Sequence, residues 1–410
     1  MTINRKVPKA RATGGHTRGR ILPRRCLAFA LATVLGAAGS AQATNGLQMP
    51  GYGIKAFGMG GVGIALPQDA VTAANNPAGF ALIGDRWDVG TDLAFTKVGA
   101  SVYGADLSDV GLVVIPEGGY GKTLQDGLAV GVSVFGSGLH VGYGKPALTP
   151  TNADASADLK QVIIAPTVSA KLGQNQTVGA SLSLARQRLR ITGQQSASGQ
   201  PDPGNQFSNG VGFRLGWIGQ LTPDLAVGAK YASRIRMGKL DGYDHLLADG
   251  GRLDIPEEYG VGVAFKAGDK LTLAADYLRI NWSDIKSIGN PVSMAAPFGS
   301  SNGSGFGWKD QYIFRFGTSY AFSEQLDLRA GYSQATQVMD RNNSLLDFLA
   351  PVTTRKHLSF GSTWKRASGS EFSLAYMRSF REDVDGSGVS TGVDVHDSIN
   401  WLAIGFGHRF

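Results

Sequence analysis

Few side chains in this sequence have the types and spacing that chemistry needs. Asp394, His396 and Asp397 cluster near the C-terminus, a combination that can ligate a metal or move a proton. They also follow an acidic polar connection at the start of an alternating run, which accounts for them without a reaction. His16, His140, His245, His357 and His408 are scattered, and no serine–histidine pair is arranged for hydrolysis. Gly58-x-Gly60-x-x-Gly63 has the form of a dinucleotide fingerprint, yet no strand precedes it and no βαβ unit surrounds it. Close backbone packing is the better account of these glycines. No catalytic residue, metal site or cofactor is expected, and the chain does not read as an enzyme.

The surrounding elements read as strands. Leu128, Val130, Val132 and Val134 alternate with small residues, as do Val178, Ala180, Leu182 and Leu184. Val211–Trp217, Tyr259–Phe265 and Leu402–Phe406 repeat the pattern. Each such strand has one oily face and one small or polar face. Glycine makes up 58 of 410 residues and charged residues only 17%, a β composition with no collagen period. No apolar run is long enough for a transmembrane helix.

Residues 1–25 hold eight basic side chains and no acid, followed by an apolar stretch from Cys26 to Ala38 and the small-x-small triplet Ala41-Gln42-Ala43. Residues 1–43 are therefore expected to be a cleaved signal peptide. Without them, 31 basic residues face 32 acidic ones, so the basic balance of the whole chain does not point to nucleic acid. Cys26, the one cysteine, falls within this leader, which leaves no thiol for disulfides or metal in the remainder.

The connections alternate in length. Six short turns, at Leu124–Gly127, Gly173–Gln176, Thr222–Asp224, Ala267–Lys270, Ser323–Gln325 and Arg366–Gly369, are expected to alternate with seven longer polar connections. The longer ones fall near 98–110, 145–157, 193–207, 238–256, 286–307, 338–354 and 382–395. That rhythm predicts an all-β fold: a transmembrane antiparallel barrel of about 14 strands over 87–410, with short periplasmic turns and long outer loops. Closure follows from the medium, because hydrocarbon offers backbone groups no partner and a closed barrel pairs them internally. Trp87, Trp217, Tyr231, Tyr320, Phe322 and Trp364 suit the interfacial girdles.

Residues 44–86 break the alternation. They are dense in glycine, carry Pro50, Pro67 and Pro77, and are expected to fold inside the lumen as an N-terminal plug. At the other end, Leu402, Ile404, Phe406 and Phe410 share one face, so Phe410 is expected to act as the signal read by the barrel assembly machinery.

Several motifs resemble the FadL/TodX family of outer-membrane transporters for long-chain fatty acids and aromatic hydrocarbons. Gly58-Met59-Gly60-Gly61-Val62-Gly63-Ile64-Ala65, Asp69-Ala70 and Asn75-Asn76-Pro77-Ala78-Gly79 look like that family's plug, with Asn76-Pro77-Ala78 its most recognisable triplet. Ile115-Pro116 and Ile255-Pro256-Glu257 match prolines the family carries at strand starts, and Trp308–Tyr312 with Phe316–Tyr320 is similar to its tenth strand. Leu66-Pro67-Gln68 and His408 depart from the usual residues at their places.

The resemblance implies passive, ligand-gated transport without energy input. A hydrophobic ligand would be captured at the outer loops, bind beside the plug's N-terminus, and leave sideways where the third strand bends inward. Carried over, it points to Asn45, Gly46 and Leu47, at the plug's N-terminus, for binding or passage; by their apolar character the interior Phe135 and Leu139 and the outer-loop Leu345, Leu346, Phe348 and Leu349 suit an oily ligand. Gly136 and Gly138, in a third strand placed at Leu128–Gly144, would form the bend, with Pro166 interrupting the ladder beside them. Outer-membrane lipid and a monomeric state are the other expectations. A general diffusion porin and a structural or adhesive barrel are the alternatives, and the plug separates the first reading from both.

Overall fold

The computed structural model describes residues 45–125, 127–147, 153–195, 199–293 and 295–410. The expected signal peptide at 1–43 lies outside them.

Strands fold where the alternating pattern places them. The first seven are β1 (Arg86–Val102), β2 (Ala105–Gln125), β3 (Leu128–Gly142), β4 (Ser156–Leu172), β5 (Gln176–Thr192), β6 (Gln206–Thr222) and β7 (Leu225–Ala232). A two-residue β8 (Arg236–Met237) lies in the next connection. Then come β9 (Glu258–Lys266), β10 (Leu271–Ile280), β11 (Gln311–Ala321) and β12 (Leu326–Ala335). The last three are β13 (Lys356–Lys365), β14 (Ser370–Asp385) and β15 (Val393–Arg409). All pairings are antiparallel between chain neighbours, β7 pairs with β9, and β1 pairs with β15 from Arg86↔Arg409 to Val102↔Val393. The result is a closed barrel of fourteen strands, with β8 added along the upper part of β6.

Side-chain exposure follows the pleat. On β5, Leu182 and Leu184 are exposed while Ser181, Ser183 and Ala185 are buried; β6 and β9 do the same. Exposed apolar residues thus form the outer face, as a lipid medium requires.

Two expectations about connections need correction. The long connection expected near 98–110 is a two-residue turn, Tyr103-Gly104, with φ of 50° and 86°. Positive φ at both central residues is the geometry of a tight hairpin. The polar residues read there as a loop belong to strands that continue beyond the apolar band: Asp106 and Ser108 are exposed on β2. The connection near 382–395 is also short, because β14 runs on to Asp385.

Residues 45–85 form short turns and helices, among them Ile54–Phe57, Thr72–Ala74, Pro77–Gly79 and Phe80–Ile83. Nearly all of this segment is buried. It bonds to strands on opposite sides of the ring, so it lies in the interior.

Candidate functional site

Strand side chains that point inward meet the interior segment by bonding its backbone. Asp276 on β10 accepts from the amides of Gly63 (2.8 Å) and Ile64 (3.2 Å). Glu117 on β2 accepts from Gly53 N–H at 2.9 Å, and Asp88 on β1 from Ala70 N–H at 2.8 Å. Arg315 on β11 donates to the Gly61 carbonyl and Arg214 on β6 to that of Ala74. Lys55 pairs with Glu371 on β14, which also takes Arg86 at 2.9 Å. A charge placed alone on an otherwise small inward face was the available signal for these wall residues, which sequence reasoning missed. Asp276, Glu117, Asp88, Arg315 and Arg214 satisfy backbone groups that have no ladder of their own, while Glu371 holds the Lys55 side chain.

Asn76 is the densest of these anchors. Its amide donates to the carbonyls of Ile64 (2.8 Å), Trp217 (3.1 Å) and Ala229 (3.3 Å), and its Oδ1 accepts from Ala78 N–H at 3.0 Å. The last bond caps the short helix Pro77–Gly79, where Pro77 occupies the first position, whose N–H needs no partner. The Ala78 carbonyl accepts from Ser169 on β4 at 2.7 Å. The triplet thus joins the interior segment to β4, β6 and β7.

Above this polar layer lies an apolar one. Leu47, Leu139, Tyr143, Trp282, Trp308 and Phe348 belong to a single buried cluster reaching up into the outer connections. Asn45 and Gly46 stand at its lower edge; Gly46 has φ +64°, and a Cβ there would overlap the Trp282 indole. Trp308 meets Trp282 edge-on at 5.6 Å, and its Nε1 donates to Asp347 at 2.9 Å. The Tyr143 hydroxyl, just past β3, donates to the Phe348 carbonyl at 2.6 Å. Phe348 sits on the 3-10 helix Arg341–Leu349 beside Leu345 and Leu349, which also pack on the cluster; Leu346 is half-buried and outside it. Phe135 lies lower, in a neighbouring cluster, edge-on to Tyr52 at 5.0 Å with the Arg214 guanidinium 5.1 Å above its ring.

Among the charges at the outer side, burial lifts the Asp347 carboxyl well above the ordinary carboxylate range, against the Trp308 hydrogen bond that favours its charged form. Asp340, at the surface, is held low by its bond from Lys309. Asp394, His396 and Asp397 do not form a site. Asp397 accepts from Thr353 and Thr354, Asp394 accepts from Gly386 N–H, and His396 faces Asp383 at 3.8 Å. No metal-ligating group occurs among the described residues.

Among the described residues the wall is widely broken between β2 and β3. β2 and β3 pair only from Gly118↔Val134 to Gln125↔Leu128. Beyond that, β2 continues to pair with β1, and β3 with β4 from Phe135↔Ile163 to Gly142↔Ser156, but not with each other. Ser133–Leu139 are buried without alternation, so this half of β3 has left the lipid face and turned inward. That is the condition under which unpaired backbone is tolerated at membrane depth. Gly138 has φ +150°, and a Cβ on it would strike the Leu159 carbonyl. Gly136 faces Ile115 across the break, and Gly142 N–H to Asp109 (3.1 Å) bridges it higher up.

Two prolines need correction here. Pro116 is not at a strand start; it lies inside β2, just past the last pair with β3, where a missing N–H is harmless. Pro166 does not interrupt β3, since Val132↔Pro166 is in register; the gap falls on the β5 side, between Ile164↔Leu184 and Thr167↔Ser181. The expected third strand ends at Gly142 rather than Gly144. Phe410 is exposed and stacks on Tyr120 at 5.9 Å.

The architecture recurs in solved structures. The toluene transporter TodX of Pseudomonas putida superposes with a TM-score of 0.67 at 21% identity, covering 89% of this chain and all of its own. A Pseudomonas aeruginosa FadL homologue gives 0.68 at 16%, over 89% of this chain and 100% of that one. The Ralstonia pickettii toluene transporter TbuX gives 0.63 at 19%, over 88% and 99%. No curated protein matches in sequence. The sequence model described as "Outer membrane protein transport protein (OMPP1/FadL/TodX)" matches residues 34–401. A closed barrel, an interior segment tied to its wall and a match over nearly the whole chain place it in one family: this chain belongs to the FadL/TodX outer-membrane transport proteins, which move hydrophobic compounds and are not enzymes.

Proposed function

We propose that this chain passes small, uncharged hydrophobic molecules across the outer membrane by passive diffusion, with residues 45–85 as the plug and the β2–β3 break as a sideways exit. The break carries the reading. An unpaired stretch of wall beside Phe135 and Leu139 offers an apolar molecule a way into lipid that never crosses water. Ligand would enter between the outer connections at Phe348 and Leu346, settle against Leu47 above Asn45 and Gly46, and leave past Gly136 and Gly138.

Charge favours a neutral ligand over a fatty acid. Lys55, Arg86, Arg214, Lys230, Arg315 and Arg329 are the fully buried cations among the described residues. All are engaged at the plug layer, by Glu371, Asp88, Glu258 or plug backbone and side chains. Among the described residues, the buried ionisable groups beside the apolar cluster are acids, Asp347 and Asp397 among them. A carboxylate ligand would meet no counter-ion there. Two relatives sharing the fold are toluene transporters, which agrees with a small hydrocarbon.

A removable bond tests the exit. Ile115→Cys with Gly136→Cys, across the break, should form a disulfide that stitches β2 to β3. Uptake of labelled toluene should fall at least roughly tenfold when the pair is oxidised and return on reduction, while labelled oleate uptake stays at background throughout. Undiminished toluene uptake in fully cross-linked protein would rule out the sideways route. Oleate uptake matching toluene would overturn the neutral-ligand assignment alone.

A further inference from the structure

Outside the transport path, β4 and β5 carry a dense group of outward-facing cations. On β5 the exposed face runs Leu182, Leu184, Arg186, Arg188, Arg190, changing from apolar to three successive arginines. On β4 the same face runs Ile164, Val162, Lys160, Asp158. The register sets Lys160 opposite Arg188 and Val162 opposite Arg186, so β4 changes character one outward-facing pair above β5. β6 does likewise: exposed Val211 gives way to Asn209 and Phe207, with Arg186 lying 5.1 Å over the Phe207 ring.

Like charges directly opposite on paired strands repel. Three arginines share this face with Asp158, which pairs with Arg188 and also meets His140 at 3.1 Å. Elsewhere on the outer rim several arginines have acids of their own: Arg279 with Asp310, Arg355 with Glu382, Arg381 with Asp383. The excess of positive charge is local. It begins where the lipid-facing residues end, on the side of the long connections, which in such barrels is the outer leaflet.

We infer that the outward face of β4 and β5 is a binding site for the phosphates of outer-leaflet glycolipid, with Lys160, Arg186, Arg188 and Arg190 as the phosphate ligands. The acyl chains of that lipid would lie along Ile164, Val162, Leu184 and Val211, which continue directly below the cations. Guanidinium groups suit phosphate because their N–H forks match its oxygens. A soluble polyanion would use the same charges without the apolar strip, so the strip selects a lipid.

The test uses the purified full barrel in mild detergent, with bisphosphorylated lipid A, the same lipid A stripped of phosphate, and inorganic phosphate as separate probes. Bisphosphorylated lipid A should raise the temperature of the heat-modifiability transition and persist as a bound adduct in native mass spectrometry. Arg186→Gln with Arg190→Gln should weaken that binding about thirtyfold, since each cation near such a surface contributes about 1 kcal/mol. Equal binding of stripped lipid A, or an unchanged affinity in the double variant, would overturn the site. Inorganic phosphate shifting the transition as far as lipid A would overturn the lipid as ligand. Should the double variant fail to assemble, Lys160→Gln alone and the stripped-lipid comparison on unaltered protein still decide the matter.

Discussion

At the scale of single residues, the interior depends on polar groups placed where hydrocarbon chemistry would forbid them. Asp347 is the clearest outside the membrane-spanning strands. Its carboxyl is fully buried, one oxygen taking the Trp308 N–H and the other without a protein partner. Burial raises its folded pKa above the unfolded value, so the folded state holds the proton longer. Stability is then fullest in acid and declines as pH rises from about 4 upward, by at most about tenfold in the opening equilibrium per pH unit. Hydrogen exchange across Arg341–Leu349 should therefore quicken between acid and neutral pH. Asp347→Asn should flatten that dependence, and an equally steep profile in the variant would place the proton elsewhere. Neither Asp347 nor its partner Trp308 stood out in the sequence as a pair, because the contact joins two connections distant in the chain. Leu345, Leu346, Phe348 and Leu349 were legible as an apolar group, since four large apolar side chains in an outer loop have few other uses.

At the scale of elements, strands and turns were readable wherever lipid enforces alternation. All six short turns lie where the sequence placed them. Alternation ceased to be a guide near Tyr103-Gly104, because the outward face of β1 and β2 turns polar there, at Asp106 and Ser108, while the inward face stays buried and pairing continues. It also could not see the β2–β3 break as a break, since absent pairing leaves no signature; only the glycines of β3 hinted at it. Gly138 offers a direct probe. A valine there would need a φ that β-branched residues avoid, at a cost of about 1–3 kcal/mol, and would press on the Leu159 carbonyl. β3 should relieve this by moving, and toluene uptake should fall several-fold with assembled barrel still at normal levels. Val132→Ile, on the lipid face of the same strand, should leave uptake unchanged. Equal uptake in both variants would detach the bend from transport.

For the molecule as a whole, the plug reading makes the lumen a filled space. Removing Leu47–Ala65 would strip the segment bonded by Glu117, Asp276 and Arg315 and leave those charges facing water. Planar bilayers should then record stepwise ion currents absent from the intact protein. Porin-like conductance in the intact protein would refute the plug. The general architecture was accessible from sequence because barrel closure is a property of the medium as much as of particular residues. The path of residues 45–85 was not, because it is set by scattered single contacts with no period.

The seam between β1 and β15 carries a further consequence, one of time. These strands, far apart in the chain, are in register from Arg86↔Arg409 to Val102↔Val393, so the ring stays an open curved sheet until the final strand arrives. Residues 45–85 bond to strands on both sides of that seam and across from it, through Glu371, Glu117, Asn76 and Arg315. A segment so enclosed can scarcely be threaded in afterwards. It has to be gathered by the sheet while one side is still open, which makes this interior segment a template around which the cylinder rolls shut.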